Sequence, residues 1–208
     1  MGKLTLRVCG ISLALTFFVV AQTTPTKTIV FLGDSLSAGY GVKPNESFPA
    51  LIGDKIRAAN LPYQVENAGL SGDTTAGGLR RMDWLLQRPV DVLVIELGGN
   101  DGLRGRPVAA LKENLQAIID KAHAKNPAVK IVIAGMQIPP NLGADYARNF
   151  QQVFPEIAQA NHATLIPFLL EGVGGMREFN QADSIHPNAE GHRTIAETVW
   201  RILEPLLK

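Results

Sequence analysis

Four polar stretches carry the residue types that acyl transfer needs: Gly33-Asp34-Ser35-Leu36-Ser37, Ser71-Gly72-Asp73-Thr74, Gly99-Asn100-Asp101 and Asp183-Ser184-Ile185-His186-Pro187. A serine hydroxyl is a weak nucleophile until a base takes its proton, and a histidine base works best when a third group fixes its tautomer. Ser35, His186 and Asp183 fill those roles, and Asp183 and His186 share one short segment that Pro187 stiffens. A carbonyl under attack also needs donors where its oxygen turns negative. Backbone N–H groups of glycine turns and an amide side chain are the usual suppliers. Gly72 and Asn100 can serve there. Each residue also has a plainer reading: Asp34 or Ser35 as a helix cap, Gly72 as a positive-φ turn, Asn100 as a turn cap. The chemical reading gains ground only if the fold gathers all four stretches.

The elements between them predict such a gathering. Ile29-Val30-Phe31-Leu32 is a short apolar run ended by glycine, the pattern of a strand buried on both faces of a parallel sheet. Ser47 can cap a helix bearing Phe48, Leu51, Ile52 and Ile56, stopped at Asn60-Leu61-Pro62. Tyr63 to Glu66 reads as a second strand and runs into the Gly72 turn, followed by a helix with Leu79, Met82, Leu85 and Leu86 on one side. Val90 to Leu97 is a third strand, interrupted by Gly98-Gly99-Asn100-Asp101-Gly102. Pro107 opens a helix with Val108, Leu111, Leu115, Ile118 and Ile119, and Val129 to Ala134 is the fourth strand. A helix from about Asp145 should kink or restart at Pro155, and Ala163 to Phe168 is the fifth strand. Leu169 to Ala182 lacks clean periodicity, and Asn188 caps a last helix with Ile195, Ala196, Val199, Ile202 and Leu203 inward. Strand and helix alternating five times imply right-handed parallel βαβ units, hence an α/β fold, a three-layer α/β/α sandwich on a mostly five-stranded parallel sheet. In such a sheet the loops after the strands share one edge, where ligands collect.

Composition narrows the function class. The N-terminus places Lys3 and Arg7 before the apolar stretch Ile11 to Val20, then Ala21 and a polar run, so residues 1–21 read as a secretory signal peptide and residues 22–208 as one domain. The apolar segment falls short of the roughly 20 residues of a spanning helix, although an uncleaved anchor is the alternative. Losing Lys3 and Arg7 takes the formal charge from +1 to −1, and no basic run suggests a nucleic-acid partner. Cys9, the single cysteine, goes with the leader, so no disulfide is expected. A periplasmic or secreted monomer follows, without stable membrane insertion once the leader is removed.

In this order, Gly33-Asp34-Ser35-Leu36, Gly72, Gly99-Asn100-Asp101 and Asp183-Ser184-Ile185-His186-Pro187 resemble the four blocks of the SGNH (GDSL) hydrolases. Gly33 to Tyr40, Ser71 to Thr74, Glu96 to Gly105 and Met136-Gln137-Ile138 are similar to the family's exported bacterial branch of acyl-CoA thioesterases, arylesterases and lysophospholipases. The resemblance implies a flavodoxin-like fold and Ser35 as nucleophile, with His186 as base and Asp183 orienting it. It also implies an oxyanion hole from the N–H groups of Ser35 and Gly72 and the Asn100 side chain. Water would be the acyl acceptor, fatty-acyl esters or thioesters the substrates, and neither cofactor nor metal is implied. Leu142 stands where relatives often carry an aromatic residue, which bears on acyl-chain preference.

The loop Gly135 to Gly143 is the expected acyl wall. Pro139 and Pro140 restrict φ and remove two donors, predicting an extended apolar segment from which Ile138 and Leu142 touch the substrate tail; alternatively, the loop only covers the sheet edge. An ordinary α/β-hydrolase elbow is disfavoured because Ser37 occupies its second glycine position. Three rivals remain. A carbohydrate deacetylase would share the machinery, but aromatic residues, the usual sugar platforms, are only 6% of the chain. A metallophosphoesterase could recruit Asp34, Asp73, Asp101, Asp183 and His186, and a non-catalytic binding protein could share the fold. His123 and His162 read as solvated residues near helix ends, and His192 as packed on the last helix.

Overall fold

The computed structural model describes residues 1–2 and 25–208. The leader expected over residues 1–21, with Cys9, lies outside the described residues apart from Met1 and Gly2. Five strands, β1 (Lys27–Gly33), β2 (Tyr63–Gly69), β3 (Val92–Glu96), β4 (Lys130–Ala134) and β5 (Thr164–Ile166), form one parallel sheet in the order β2-β1-β3-β4-β5. That order reverses direction between β1 and β3, which opens a crevice beyond their carboxyl ends. Strand β2 runs three residues past its expected end, because Asn67, Ala68 and Gly69 continue the register opposite Phe31, Leu32 and Gly33. At a sheet edge a polar residue can face solvent without cost, so composition alone ended that strand too early.

Among the described residues seven α-helices accompany the sheet: α1 (Ser35–Ala38), α2 (Phe48–Ala58), α3 (Thr75–Leu85), α4 (Gly99–Leu103), α5 (Val108–Lys125), α6 (Ala144–Ala160) and α7 (Ala189–Leu207). Only the step from β1 to β2 moves in one direction across the sheet, so right-handed crossovers put α2 on one face and α3, α5 and α6 on the other. Helix α7 joins α2, and the three layers result. Along β1 the side chains alternate between the layers: Phe31 meets Phe48 of α2 edge to face at 5.6 Å, while Leu32 lies under α3 near Gly78. Both are fully buried, and burying such a side chain contributes about 1.5–3 kcal/mol.

Two local expectations are corrected. Ser47 holds the N-cap position of α2 as expected, but its hydroxyl donates to Pro44 O at 2.9 Å and makes no capping bond. The Phe48 N–H donates instead to His192 Nδ1 of α7, at 3.3 Å. Pro155 does not restart α6: one helix runs from Ala144 to Ala160 around Phe150, Val153, Phe154 and Ile157, whose buried stripe outweighs one missing N–H. Among the described residues no helix is long and apolar enough to cross a membrane.

Candidate active site

Strand β1 delivers Ser35 to the sheet's carboxyl edge as the first residue of α1. Asp34, not Ser35, is the cap: its Oδ1 accepts the Leu36 N–H at 3.0 Å, which leaves the Ser35 hydroxyl unused by the helix start. That hydroxyl lies 3.0 Å from His186 Nε2. His186 Nδ1 lies 2.7 Å from Asp183 Oδ2, while Asp183 Oδ1 accepts the backbone N–H groups of Ile185 and His186 at 2.9 and 3.0 Å. One carboxylate thus builds the turn and orients the ring. These bonds, those from the His186 backbone first, hold Asp183 down at about 2 although it is exposed. Ser184 takes a left-handed φ of 60° to close the turn, a conformation that costs a non-glycine residue.

The irregular segment before that turn is anchored to the turn that follows α1. Gln181 Nε2 donates to Tyr40 O at 2.6 Å and to Pro187 O at 3.0 Å, and its backbone N–H to His186 O at 2.8 Å. The Tyr40 ring lies against the imidazole at 4.6 Å between centroids. No sequence period marked Gln181, because its partners are either far along the chain or in a turn.

The second and third loops approach from the side of α3 and α4. Asn100 Nδ2 donates to Asp34 Oδ2 at 3.0 Å, and Arg104 donates to both Asn100 Oδ1, at 3.3 Å, and Gly72 O, at 3.2 Å. Gly72 holds φ 81°, which an L side chain rarely adopts, so its turn requires glycine. Asp73 is spent on Arg81 at 2.8 Å, and Arg81 also donates to Ala68 O and Gly33 O. Asp101 takes the backbone and hydroxyl of Thr75 at 2.9 and 2.8 Å. The acidic residues of the metallophosphoesterase reading are therefore parted among separate structural bonds, and no three His, Cys, Asp or Glu side chains among the described residues are grouped to hold a metal ion. Burial, against the opposing bonds from Leu36 and Asn100, pushes Asp34 up to about 6.

Beneath the Ser35 turn lies a residue of the Glu96 to Gly105 block to which its sequence context assigned no role. Glu96, the last residue of β3, is fully buried, and its Oε2 accepts Ser37 Oγ at 2.6 Å, Ser37 N at 3.0 Å and Asp34 N at 3.2 Å. Gly33 makes the approach possible, since a Cβ there would sit 2.1 Å from Ser37 Oγ and 2.5 Å from Glu96 Oε2. A signal was available, because a carboxylate closing an otherwise apolar strand is rarely buried without a reason.

The acyl-wall loop adjoins the same edge. Ile138 packs at Gly102 of α4, and Leu142, half exposed, reaches Gly105. Pro139 is extended as expected, but Pro140 to Leu142 form one 3-10 turn closed by Gly143 N to Pro140 O at 2.9 Å. A proline at the first position of that turn loses no bond by lacking its N–H. A groove of about 530 Å³ between α2 and β2, lined by Pro49, Arg57 and Val65, includes none of these residues.

Residues 31–194 match the model of the GDSL-like lipase/acylhydrolase family. The esterase TesA of Pseudomonas aeruginosa is 40% identical over 204 residues, covering 97% of this chain and 100% of that protein. Thioesterase 1/protease 1/lysophospholipase L1 of Escherichia coli K12 is 36% identical over 181 residues, 86% of this chain and 85% of its own length. Among solved structures, the psychrotrophic esterase EstA of Pseudoalteromonas sp., inhibited by monoethylphosphonate, superposes with a TM-score of 0.82 at 36% identity, covering 87% of this chain and 98% of that one. With sequence and fold matching over nearly the whole described length, the chain belongs to the GDSL-like lipase/acylhydrolase family.

Proposed function

We propose that this protein is a serine esterase that hydrolyses fatty-acyl oxyesters and thioesters by way of an acyl-enzyme. The observation that carries the reading is the run of short contacts from Ser35 Oγ through His186 to Asp183, 3.0 and 2.7 Å. Ser35 Oγ attacks the acyl carbon and its proton passes to His186 Nε2. The carbonyl oxygen, now negative, is met by the N–H groups of Ser35 and Gly72 and by Asn100 Nδ2. The carbon–oxygen or carbon–sulfur bond then breaks, and the leaving alcohol or thiol takes the proton from His186. Water repeats the sequence on the acyl-enzyme: it loses a proton to His186, attacks the acyl carbon, and the acid departs as Ser35 recovers its proton. Asp183, ionised far below neutrality, keeps the ring in the tautomer that accepts at Nε2. No cofactor enters any step.

Exposed apolar side chains at the carboxyl edge, Leu70, Leu103, Leu142 and Ile185, support a fatty acyl group over an acetylated sugar. Ile138, Pro139, Pro140 and Leu142 form the wall along the tail. The protein acts as an exported monomer once residues 1–21 are removed. The direct test is labelling with a fluorophosphonate followed by peptide mass spectrometry: the adduct is expected on Ser35, with Ser35→Ala unlabelled, inactive and normally folded. An adduct on Ser37 or Ser184 overturns the assignment.

A further inference from the structure

The mechanism above leaves the buried carboxyl of Glu96 unemployed. All the hydrogen bonding that Glu96 makes is directed at the Ser35 turn: one oxygen, Oε2, receives Asp34 N, Ser37 N and Ser37 Oγ, the residues that bracket the nucleophile. The other oxygen, Oε1, is buried with no partner among the described residues. An apolar residue at the end of β3 would avoid the desolvation of a carboxyl but would deprive the buried N–H groups of Asp34 and Ser37 of this acceptor, so the group is there for the turn. We infer that Glu96 is a positioning residue that fixes the Ser35 turn from below, so that the hydroxyl meets His186 and the Ser35 N–H faces the acyl oxygen. The inference rests on the reading of Ser35 as nucleophile.

Geometry favours placement over charge as the useful property. A turn between a strand and a four-residue helix has few bonds of its own, and three donors converging on one atom remove its freedom to tilt. Burial first, then the neighbouring Asp34 carboxyl, pushes Glu96 well above the ordinary carboxyl range, while the bonds from Ser37 and Asp34 oppose that shift. An amide keeps an acceptor oxygen at the same reach; a shorter carboxyl does not, because it withdraws the acceptor by about 1.5 Å, one carbon–carbon bond.

The experiment compares Glu96→Gln, Glu96→Asp and Ser37→Ala with the wild type in kcat, KM and the rate of fluorophosphonate labelling, below the melting temperature of each. Misplacing a reacting group by such a distance costs on the order of a hundredfold. E96D is expected to lose about that factor in kcat and in labelling rate, with KM changed less than about threefold. E96Q should stay within about fivefold of wild type, and S37A, which keeps both backbone donors, should fall between them. A merely structural role would lower melting temperature and leave kcat of the folded protein intact. E96D with wild-type kcat overturns the inference, and so does E96Q as slow as E96D. If the wild type is not labelled on Ser35, the nucleophile reading itself fails, and that result is separate from equal labelling of wild type and variants.

Discussion

Asp183 uses its two oxygens for different things, and that makes one substitution diagnostic. Oδ1 takes two backbone N–H groups and Oδ2 takes the imidazole. Asp183→Asn can keep a carbonyl oxygen on the turn while presenting an NH2 to His186 Nδ1, which forces the proton onto the wrong ring nitrogen. We expect kcat to fall roughly ten-thousandfold, as in other serine hydrolases with the same change, with little loss of melting temperature. A large loss of stability with modest loss of kcat would make Asp183 a turn residue only. Asn100 is similarly divided: Nδ2 bonds Asp34 while Arg104 holds Oδ1, so the amide is already oriented before substrate arrives. Asn100→Ala should reduce kcat about a hundredfold to a thousandfold and KM far less, because the donor counts most once the oxyanion forms. Equal effects on kcat and on binding of a ground-state analogue would contradict that role.

At the scale of elements, two contacts set measurable behaviour. The loop carrying Ile138 and Leu142 leans on Gly102 and Gly105, immediately after the Asn100 turn, and in the proposed reading a tail leaving the acyl carbon meets it as an apolar wall. Each methylene buried there contributes up to about 0.8 kcal/mol, or roughly fourfold in kcat/KM per carbon, until the wall ends at medium chain length. Ile138→Ser and Leu142→Ser should flatten the length profile from acetyl to palmitoyl esters. An unchanged profile in both variants would leave the loop as a cover for the sheet edge. The second contact joins α2 to α7. His192 is buried, accepts the Phe48 N–H, and is pushed by burial from 6.5 down to about 4. Between those values the unfolded chain binds more protons than the folded one, so this group's contribution to stability rises with pH and is lost as pH falls from 6.5 to 4. The loss amounts to about 2 kcal/mol near pH 4.5. Asp34, raised to about 6, acts in the opposite direction between roughly pH 4 and 6, so the wild type alone shows only the balance. Urea unfolding of wild type and His192→Leu at pH 4.5 and 7 isolates the histidine: the variant should lose less stability on acidification, and identical losses would refute the linkage.

For the molecule as a whole, the sheet begins at Lys27, after the proposed leader, and β1 takes its partners from β2 and β3. A chain of residues 22–208 should therefore fold with the melting temperature and kcat of the full-length protein. A drop in either would mean that residues 1–21 contribute to the domain. The same βαβ arithmetic that fixes the layers explains how four stretches, separated by up to 151 residues, come within hydrogen-bond reach: every strand of a parallel sheet exits at the same edge.

That gathering was legible without coordinates. Apolar runs such as Ile29 to Leu32 report burial on both faces, helical spacing reports the crossovers, and the chirality of those crossovers leaves few topologies. Ser35, Gly72, Asn100, Asp183 and His186 could be chosen from residue type and loop position, and the structure brings their stretches together. Strand ends were less legible, because Asn67 to Gly69 look like a turn by composition and become strand only through register with β1. What tertiary structure alone decided are the bonds between residues with no local relation: Glu96 to Ser37, 59 positions apart, Gln181 to Tyr40, 141 apart, and His192 to Phe48, 144 apart. A chain encodes local preference in its spacing, but which polar atom meets which across two loops depends on strand order and helix packing, and those are set by the whole core at once.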